Sequence, residues 1–485
     1  MKGEWRSLPK RALILFLFAL GFPALAQDKS TQIDALMSRY HEYSQFNGAI
    51  LVAERGKVIY KKGLGLANME WNIPNSPDTK FRLGSITKQF TAALILQLAE
   101  EGKINLQGKI CDYLSDYPRK TGERITVHQL LVHTSGIPSY TGLPDFIEQR
   151  SRDPYTPGDF IKVFSNLDLE FEPGSKFSYN NSGYFLLGAI IERITGQTYE
   201  KALAERIFKP LKMTSSGYDH HNTILEKRAG AYNRTPDGFE NAPYLDMSIP
   251  YSAGALYSTV EDLFLWDQAL YTDKPVSAKY KEIMFRPNLE NYGYGVFIRK
   301  EPVGKTDRKV TVVGHIGGIN GFNTLIERLL EDKHLIVLLN NAGETKLSEM
   351  SQNIRKILYS EPCKDPQRPI SQSLYKTILE RGVGAAANQY RELKANQPEV
   401  YDFGEFELEF VGRHLLKAKK NMEAIQILKL NVEAHPKIPM VYDSLGDAYR
   451  ASGKKELAIK SYSKALELDS NNRNLMEKMK SLIGR

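Results

Sequence analysis

At an offset of 34 residues, the last part of this 485-residue chain repeats its own pattern. Gly412 pairs with Gly446, Leu415 with Tyr449, Ala424 with Ala458, Ile425 with Ile459 and Leu428 with Tyr462. Helical sequence repeating at such a period forms units that cannot bury their apolar faces alone and must stack on neighbours. Small residues at Gly446 and Ala458 let two helices cross closely, while Tyr442, Leu445, Tyr449 and Tyr462 fill the seam. The Gly412 copy is looser, and the helices expected from Ser373 to Asn396 look like a degenerate first unit. Two or three units make a short stack, so they are expected to lean on the rest of the chain as well.

The pattern closely resembles the tetratricopeptide repeat. That resemblance implies a protein partner or self-association through the repeats, unless they serve only as packing. A proline-punctuated stretch beginning Glu361-Pro-Cys-Lys-Asp-Pro separates them from what precedes. The expected organisation is a signal segment over 1–26, a first domain over 27–360, a linker over 361–372 and an all-α repeat domain over 373–485.

The first 26 residues have the form of an export signal: a basic start from Lys2 to Arg11, an apolar run from Ala12 to Phe22, then Ala24 and Ala26 before Gln27. The run is short for a membrane span, so a periplasmic or secreted mature chain with no membrane anchor is expected. The formal charge of +8 includes +3 from this segment, and the rest is dispersed, which gives no reason to expect nucleic acid or membrane as a partner. The two cysteines, Cys111 and Cys363, stand far apart and are read as unpaired thiols, with a disulfide as the alternative in an oxidising compartment.

The chemistry centres on Phe81-Arg-Leu-Gly-Ser85-Ile-Thr-Lys88 and the apolar helix that follows. A glycine turn delivers a serine to a helix start, and at helical spacing Ser85 and Lys88 share a face. Unpaired N–H groups there suit a nucleophile that must lose a proton and stabilise an oxyanion. The spacing alone is common: Ser7, Ser373, Ser452 and Ser461 also precede a lysine by three residues, all in the signal segment or the repeats. Ser85 therefore needs partners from elsewhere.

Along the chain, Ser30 to Tyr43 reads as a helix, and Gly48-Ala-Ile-Leu-Val-Ala with Lys57-Val-Ile-Tyr as a strand pair turning at Arg55-Gly56. Tyr179 and Asn181 fall at a loop-to-helix junction after Pro173-Gly174, in the only Tyr-x-Asn of the sequence. Strands are expected from Asn291, from Val310 through Asn323 and from His334, with a closing helix over Gln352 to Tyr359. Glycines after His315 strip side chains from a strand and admit a ligand or another backbone. His128 and His133 have no acidic or cysteine partners at ligand spacing, so neither a metal nor a cofactor is expected.

From about residue 30 to 360 the chain resembles the serine β-lactamase and penicillin-binding-protein superfamily, nearest its class C and DD-peptidase-like branch. Three boxes carry the resemblance in the family's order: Ser85-x-x-Lys88, Tyr179-x-Asn181 and His315-x-Gly317. His133-Thr-Ser-Gly, Ser252-Ala-Gly and Tyr292-Gly-Tyr-Gly support it. Lys120-Thr121-Gly122 spells the third box of many relatives but precedes Tyr179 and reads as a surface turn.

The resemblance implies an α/β fold, an antiparallel sheet flanked by helices with a helical subdomain. It also implies an acyl-enzyme on Ser85, with Lys88 as base and Tyr179 as proton-transfer partner. Asn181, His315, Gly317 and Gly318 would contact substrate, Gly318 sharing an oxyanion hole with the Ser85 N–H. The substrate would be a small acyl compound: a D-amino-acid peptide, ester, amide or β-lactam. Histidine at 315 replaces the lysine of many β-lactamases, weakening the expectation of strong β-lactam turnover. Activity depending on His315 charge would titrate near pH 6.5. The alternative is a penicillin-binding or sensor protein with little turnover, whose repeats recruit a partner. Pocket walls are expected from Pro138–Asp168 and Tyr218–Tyr251.

Overall fold

A computed structural model describes residues 28–484, apart from 144, 145, 147–149, 305 and 471. The segment read as an export signal lies outside the described residues. Helix α1 (Lys29–Glu42) is capped by Asp28, whose carboxylate accepts from the Thr31 N–H at 2.9 Å. Strands β1 (Gly48–Glu54) and β2 (Lys57–Leu64) turn at Arg55-Gly56, both in left-handed conformation.

Four further strands, β3 (Phe297–Pro302), β4 (Lys309–Ile319), β5 (Phe322–Leu329) and β6 (His334–Asn340), complete an antiparallel sheet in the order β3-β4-β5-β6-β1-β2. Its two faces follow the period of two. Ala49, Leu51, Ala53, Val337 and Leu339 enter the larger core, and Ile50, Val52, Ile336 and Leu338 enter a second core. Helix α1 and the later α5 (Leu347–Leu358) cover the second face.

The larger core joins the sheet to a helical subdomain. Helix α2 (Thr87–Glu100) has every residue but Gln97 and Glu100 buried, as an all-round apolar helix must. Helix α3 (Asn181–Thr195) starts at an Asn180 cap and ends at left-handed Gly196. Helix α4 (Val260–Leu270) is capped by Thr259.

Strand boundaries differ from the sequence reading in two places. The strand expected through Asn323 ends at Ile319, turns at left-handed Gly321 and returns as β5, a separate strand that the glycine-rich text conceals. No strand begins at Asn291, because Glu290 and Asn291 both have positive φ and β3 starts at Phe297. Lys120 sits in a short helix over Arg119–Gly122 and not in a strand, 78% exposed and 2.7 Å from Asp168.

The repeats are helix pairs: α6 (Ile370–Arg381) with α7 (Val383–Asn396), α8 (Glu405–Lys417) with α9 (Asn421–Ala434) and α10 (Pro439–Ala451) with α11 (Lys455–Leu468), followed by α12 (Arg473–Ile483). The first begins at Ile370, inside the stretch read as linker. A Cβ on Gly412 would lie 2.6 Å from Leu428, and one on Gly446 would lie 2.4 Å from the Tyr462 ring, so both glycines are needed for the crossing.

Candidate active site

Ser85 lies in a single 3-10 turn, Gly84–Ile86, that leads into α2. The turn is fixed from both sides. The Leu83 N–H donates to the Leu256 carbonyl at 2.7 Å, and the Leu83 carbonyl accepts from Thr324 Oγ1 at 2.7 Å. Gly84 has φ +54°, and a Cβ there would sit 2.9 Å from the Gly318 nitrogen. The Ser85 turn therefore rests directly on the Gly318 backbone. Gly317 serves differently, because a Cβ on it would lie 1.9 Å from the Leu83 carbonyl oxygen, and its bareness lets strand and turn meet.

Lys88 is fully buried, and its Nζ lies 3.0 Å from Ser85 Oγ, 2.8 Å from Asn181 Oδ1 and 2.9 Å from the Ala253 carbonyl. Among the described residues no carboxylate lies within ion-pair distance of it, and burial holds the ammonium well below its ordinary range. A neutral amine has two N–H donors and one lone pair. Asn181 Oδ1 and the Ala253 carbonyl can only accept, so they take both donors. In that neutral form the lone pair is left to accept from the Ser85 O–H, whereas the ammonium donates to Ser85 Oγ instead.

Asn181 is held to this role from its other end. Its Nδ2 donates to Thr141 Oγ1 at 3.2 Å, and its N–H donates to Ser139 Oγ at 3.2 Å. Tyr179 precedes it in extended backbone, with its ring 4.8 Å from Lys88 Nζ. Burial pushes the phenol well above its usual range; Ser85 opposes the rise without completing a hydrogen bond, leaving the Tyr179 hydroxyl buried and unpartnered.

Two histidines pack this tyrosine. His133 stacks on it with ring centroids 4.4 Å apart, and its Nδ1 accepts from the Asn180 N–H at 3.1 Å. His315 approaches the ring at 5.9 Å and is 5% exposed. Its Nδ1 lies 2.6 Å from the Ile316 carbonyl, which can only accept, so Nδ1 carries the proton and Nε2 accepts from the Tyr292 hydroxyl at 3.1 Å. Both nitrogens are thus engaged. Burial, with Lys88 nearby, pushes the imidazole down to about 3. This corrects the expected titration near pH 6.5, because the ring is neither solvated nor paired with a carboxylate.

The cleft in front of Ser85 holds about 400 Å³. Asn181, Gly318 and Asn320 line it together with Tyr140, Arg152 and Tyr244, so both segments expected as walls contribute. His315 and Gly317 lie behind this surface. The sequence reading omitted the Asn180 cap, the packing role of His133 and Tyr292, and the Ala253 carbonyl. Only His133, Tyr292 and the Ser252-Ala-Gly loop stood in text singled out for the resemblance. His128 hydrogen-bonds the Tyr294 hydroxyl at 2.7 Å, and Cys111 and Cys363 are free thiols.

A buried lysine 3.0 Å from a serine, in the turn that leads into a core helix beside an antiparallel sheet, is an arrangement that can support acyl transfer on serine. Residues 33–359 match the Beta-lactamase family, and the chain belongs to it; residues 446–476 match a TPR repeat. Penicillin-binding protein 4* of Bacillus subtilis (strain 168) is 30% identical over 389 residues, covering 74% of this chain and 84% of that protein. A penicillin binding protein from Bacillus halodurans superposes with a TM-score of 0.59 at 27% identity, over 66% of this chain and 98% of that one. The D-amino acid amidase from Ochrobactrum anthropi SV3 gives 0.58 at 25%, over 68% and 97%.

Proposed function

We propose that the protein is an exported serine hydrolase that cleaves D-amino-acid peptides, small esters, amides or β-lactams through an acyl-enzyme on Ser85. The observation that carries this reading is the buried Lys88 Nζ 3.0 Å from Ser85 Oγ, with Asn181 Oδ1 and the Ala253 carbonyl accepting its other N–H groups and burial pushing its ammonium down. Ser85 Oγ attacks the substrate carbonyl carbon while its proton passes to Lys88 Nζ. The oxyanion is met by the Ser85 and Gly318 N–H groups. Tyr179, neutral and with a free hydroxyl, relays the proton to the leaving nitrogen or oxygen as that bond breaks. Water then adds to the ester, giving up its proton by the same route, and the acid leaves. Asn181 orients Lys88 and, from the cleft wall, the substrate. His315 and Gly317 act one step back, holding Tyr179 and the turn.

D-Amino-acid substrates are favoured by the likeness to the D-amino acid amidase. Export is supported by the signal-like first 26 residues. Among the described residues no helix is long and apolar enough to cross a membrane. Intact mass after exposure to a fluorophosphonate or a penicillin tests the reading. One adduct is expected on wild type and none on Ser85→Ala; an undiminished adduct on Ser85→Ala would overturn it.

A further inference from the structure

Between the cleft and the repeats lies a small three-stranded sheet, Ala342–Gly343, Tyr232–Thr235 and Gly238–Asn241. Each of its strands ends on helix α8. Beyond Gly343, Glu344 pairs with Arg413 at 3.2 Å. From the central strand, Arg234 stacks on Phe410 at 4.8 Å and faces Glu407 at 4.0 Å. From the edge strand, Glu240 accepts from Lys417 at 2.6 Å. Residues 407, 410, 413 and 417 form one stripe of the helix. Arg234 is 8% exposed and Glu407 is 1% exposed, so this ion pair is withdrawn from solvent, unlike the two flanking it. Glu407 is oriented in turn by the Ser371 hydroxyl, which donates to it at 2.6 Å.

The other end of the small sheet is the cleft. Asn233, next to Arg234, lines it, as do Pro243, Tyr244 and Leu245 just beyond the edge strand. The Pro243 carbonyl accepts from Asn320 Nδ2 at 2.8 Å, and a Cβ on Gly321 would lie 2.6 Å from the Tyr232 nitrogen. Asn320 and Gly321 form the turn that follows Gly318. The sheet is thus wedged between α8 and the strand end beside Ser85.

We propose that helix α8 of the repeats is a positioning element of the hydrolase: through Arg234, Glu407 and Phe410 it sets the cleft wall formed by Asn233 and Pro243–Leu245, and so selects for acyl groups long enough to touch that wall. Arg234 and Glu407 are positioning residues, since neither reaches the cleft. The substrate part of this inference rests on the acyl-hydrolase reading; the wall's dependence on α8 does not.

The test uses the full chain with Glu407→Gln and Arg234→Met, and with Arg234→Lys as the conservative variant. Arg413→Ala and Lys417→Ala, at side chains 53% and 65% exposed, guard against a variant that fails to fold. Backbone amide exchange, which needs no turnover, should quicken roughly tenfold at 232–235 and 244–245 while Ser85–Lys88 is unchanged. With 4-nitrophenyl esters, the acetate should keep its kcat/KM, and the N-acetyl-D-phenylalanine ester should lose roughly tenfold in kcat/KM through KM. Arg234→Lys should recover most of that loss, and the two surface variants should show the same pattern in smaller measure. Unchanged exchange overturns the proposal, as does an equal loss on both esters. A wild-type chain that hydrolyses neither ester, with exchange as described, overturns the hydrolase reading and the substrate selection while the α8 dependence of the wall stands.

Discussion

Asn181 Oδ1 accepts a hydrogen bond from Lys88 Nζ at 2.8 Å, and this contact aims the buried amine without pairing it with a charge. An amide oxygen accepts the hydrogen bond without offering a charge that would stabilise the ammonium. Asn181→Asp places a carboxylate in the same position, and an opposite charge at that distance favours the charged lysine. The variant should fold, yet lose at least about 100-fold in kcat/KM at pH 7, the scale of a general base. Part of the loss should return as pH rises and the ammonium is titrated away. A pH profile of kcat/KM checks this; an acidic limb unmoved from wild type would remove Lys88 as the base.

The same burial has a consequence for stability. In the fold Lys88 titrates well below 10.5, its ordinary value. Between the two values the unfolded chain binds one more proton than the folded chain, so stability rises with pH across that window. Lys88→Met removes the group and its proton linkage. The stability difference between wild type and Lys88→Met should move in favour of wild type as pH increases from 7 to 10, by up to about 1.4 kcal/mol per unit. Denaturant melts of both proteins at three pH values measure it. A difference that is constant with pH would mean that Lys88 is charged in the fold.

These two residues also show what was legible in sequence. Ser85, Lys88, Tyr179 and Asn181 could be found because local spacing and their order along the chain mark them, and the structure brings all four together. The strand that carries Gly318 was legible from its apolar run. Its end was not, because Gly317, Gly318 and Gly321 look alike in text while one clears Leu83, one exposes backbone to the cleft and one abuts Tyr232. The separate strand Phe322–Leu329 was lost for that reason. His315 was found but its environment was not. Its lowered titration comes from burial with Lys88 nearby, and no local pattern records what a ring is packed against. The docking of the repeats was anticipated in general, but Arg234 and Glu407 stand 173 positions apart with nothing to link them before folding.

His315 should therefore leave no mark on the activity profile between pH 5.5 and 8, since it titrates at about 3 in the fold. It should appear in acid stability. Its folded value lies below its unfolded value of 6.5, so the unfolded chain binds the extra proton between them and stability falls as pH drops through that interval. His315→Gln should blunt this loss by up to about 1.4 kcal/mol per pH unit and lower kcat through a less well held Tyr179, without moving the limb that belongs to Lys88. A limb near pH 6.5 that disappears in His315→Gln would contradict the buried, doubly hydrogen-bonded ring.

Adjacent glycines give the sharpest contrast. A Cβ on Gly318 meets nothing within 4 Å, while one on Gly317 would lie 1.9 Å from the Leu83 oxygen and 2.2 Å from Thr324 Oγ1. Neither has a positive φ, so the difference is one of space alone. Gly318→Ala should melt within about 0.5 kcal/mol of wild type. Its added methyl lies at the cleft face, so any loss of activity should be confined to substrate binding. Gly317→Ala must push the Ser85 turn off the strand or strain both, at about 1–3 kcal/mol, the range for overpacking. Because the displaced turn carries the nucleophile, labelling of Ser85 by a fluorophosphonate should slow by about 100-fold, as a misplacement of about 1 Å can cause. Equal melting points and equal labelling rates for the two variants would show that the Leu83 contact does not position Ser85.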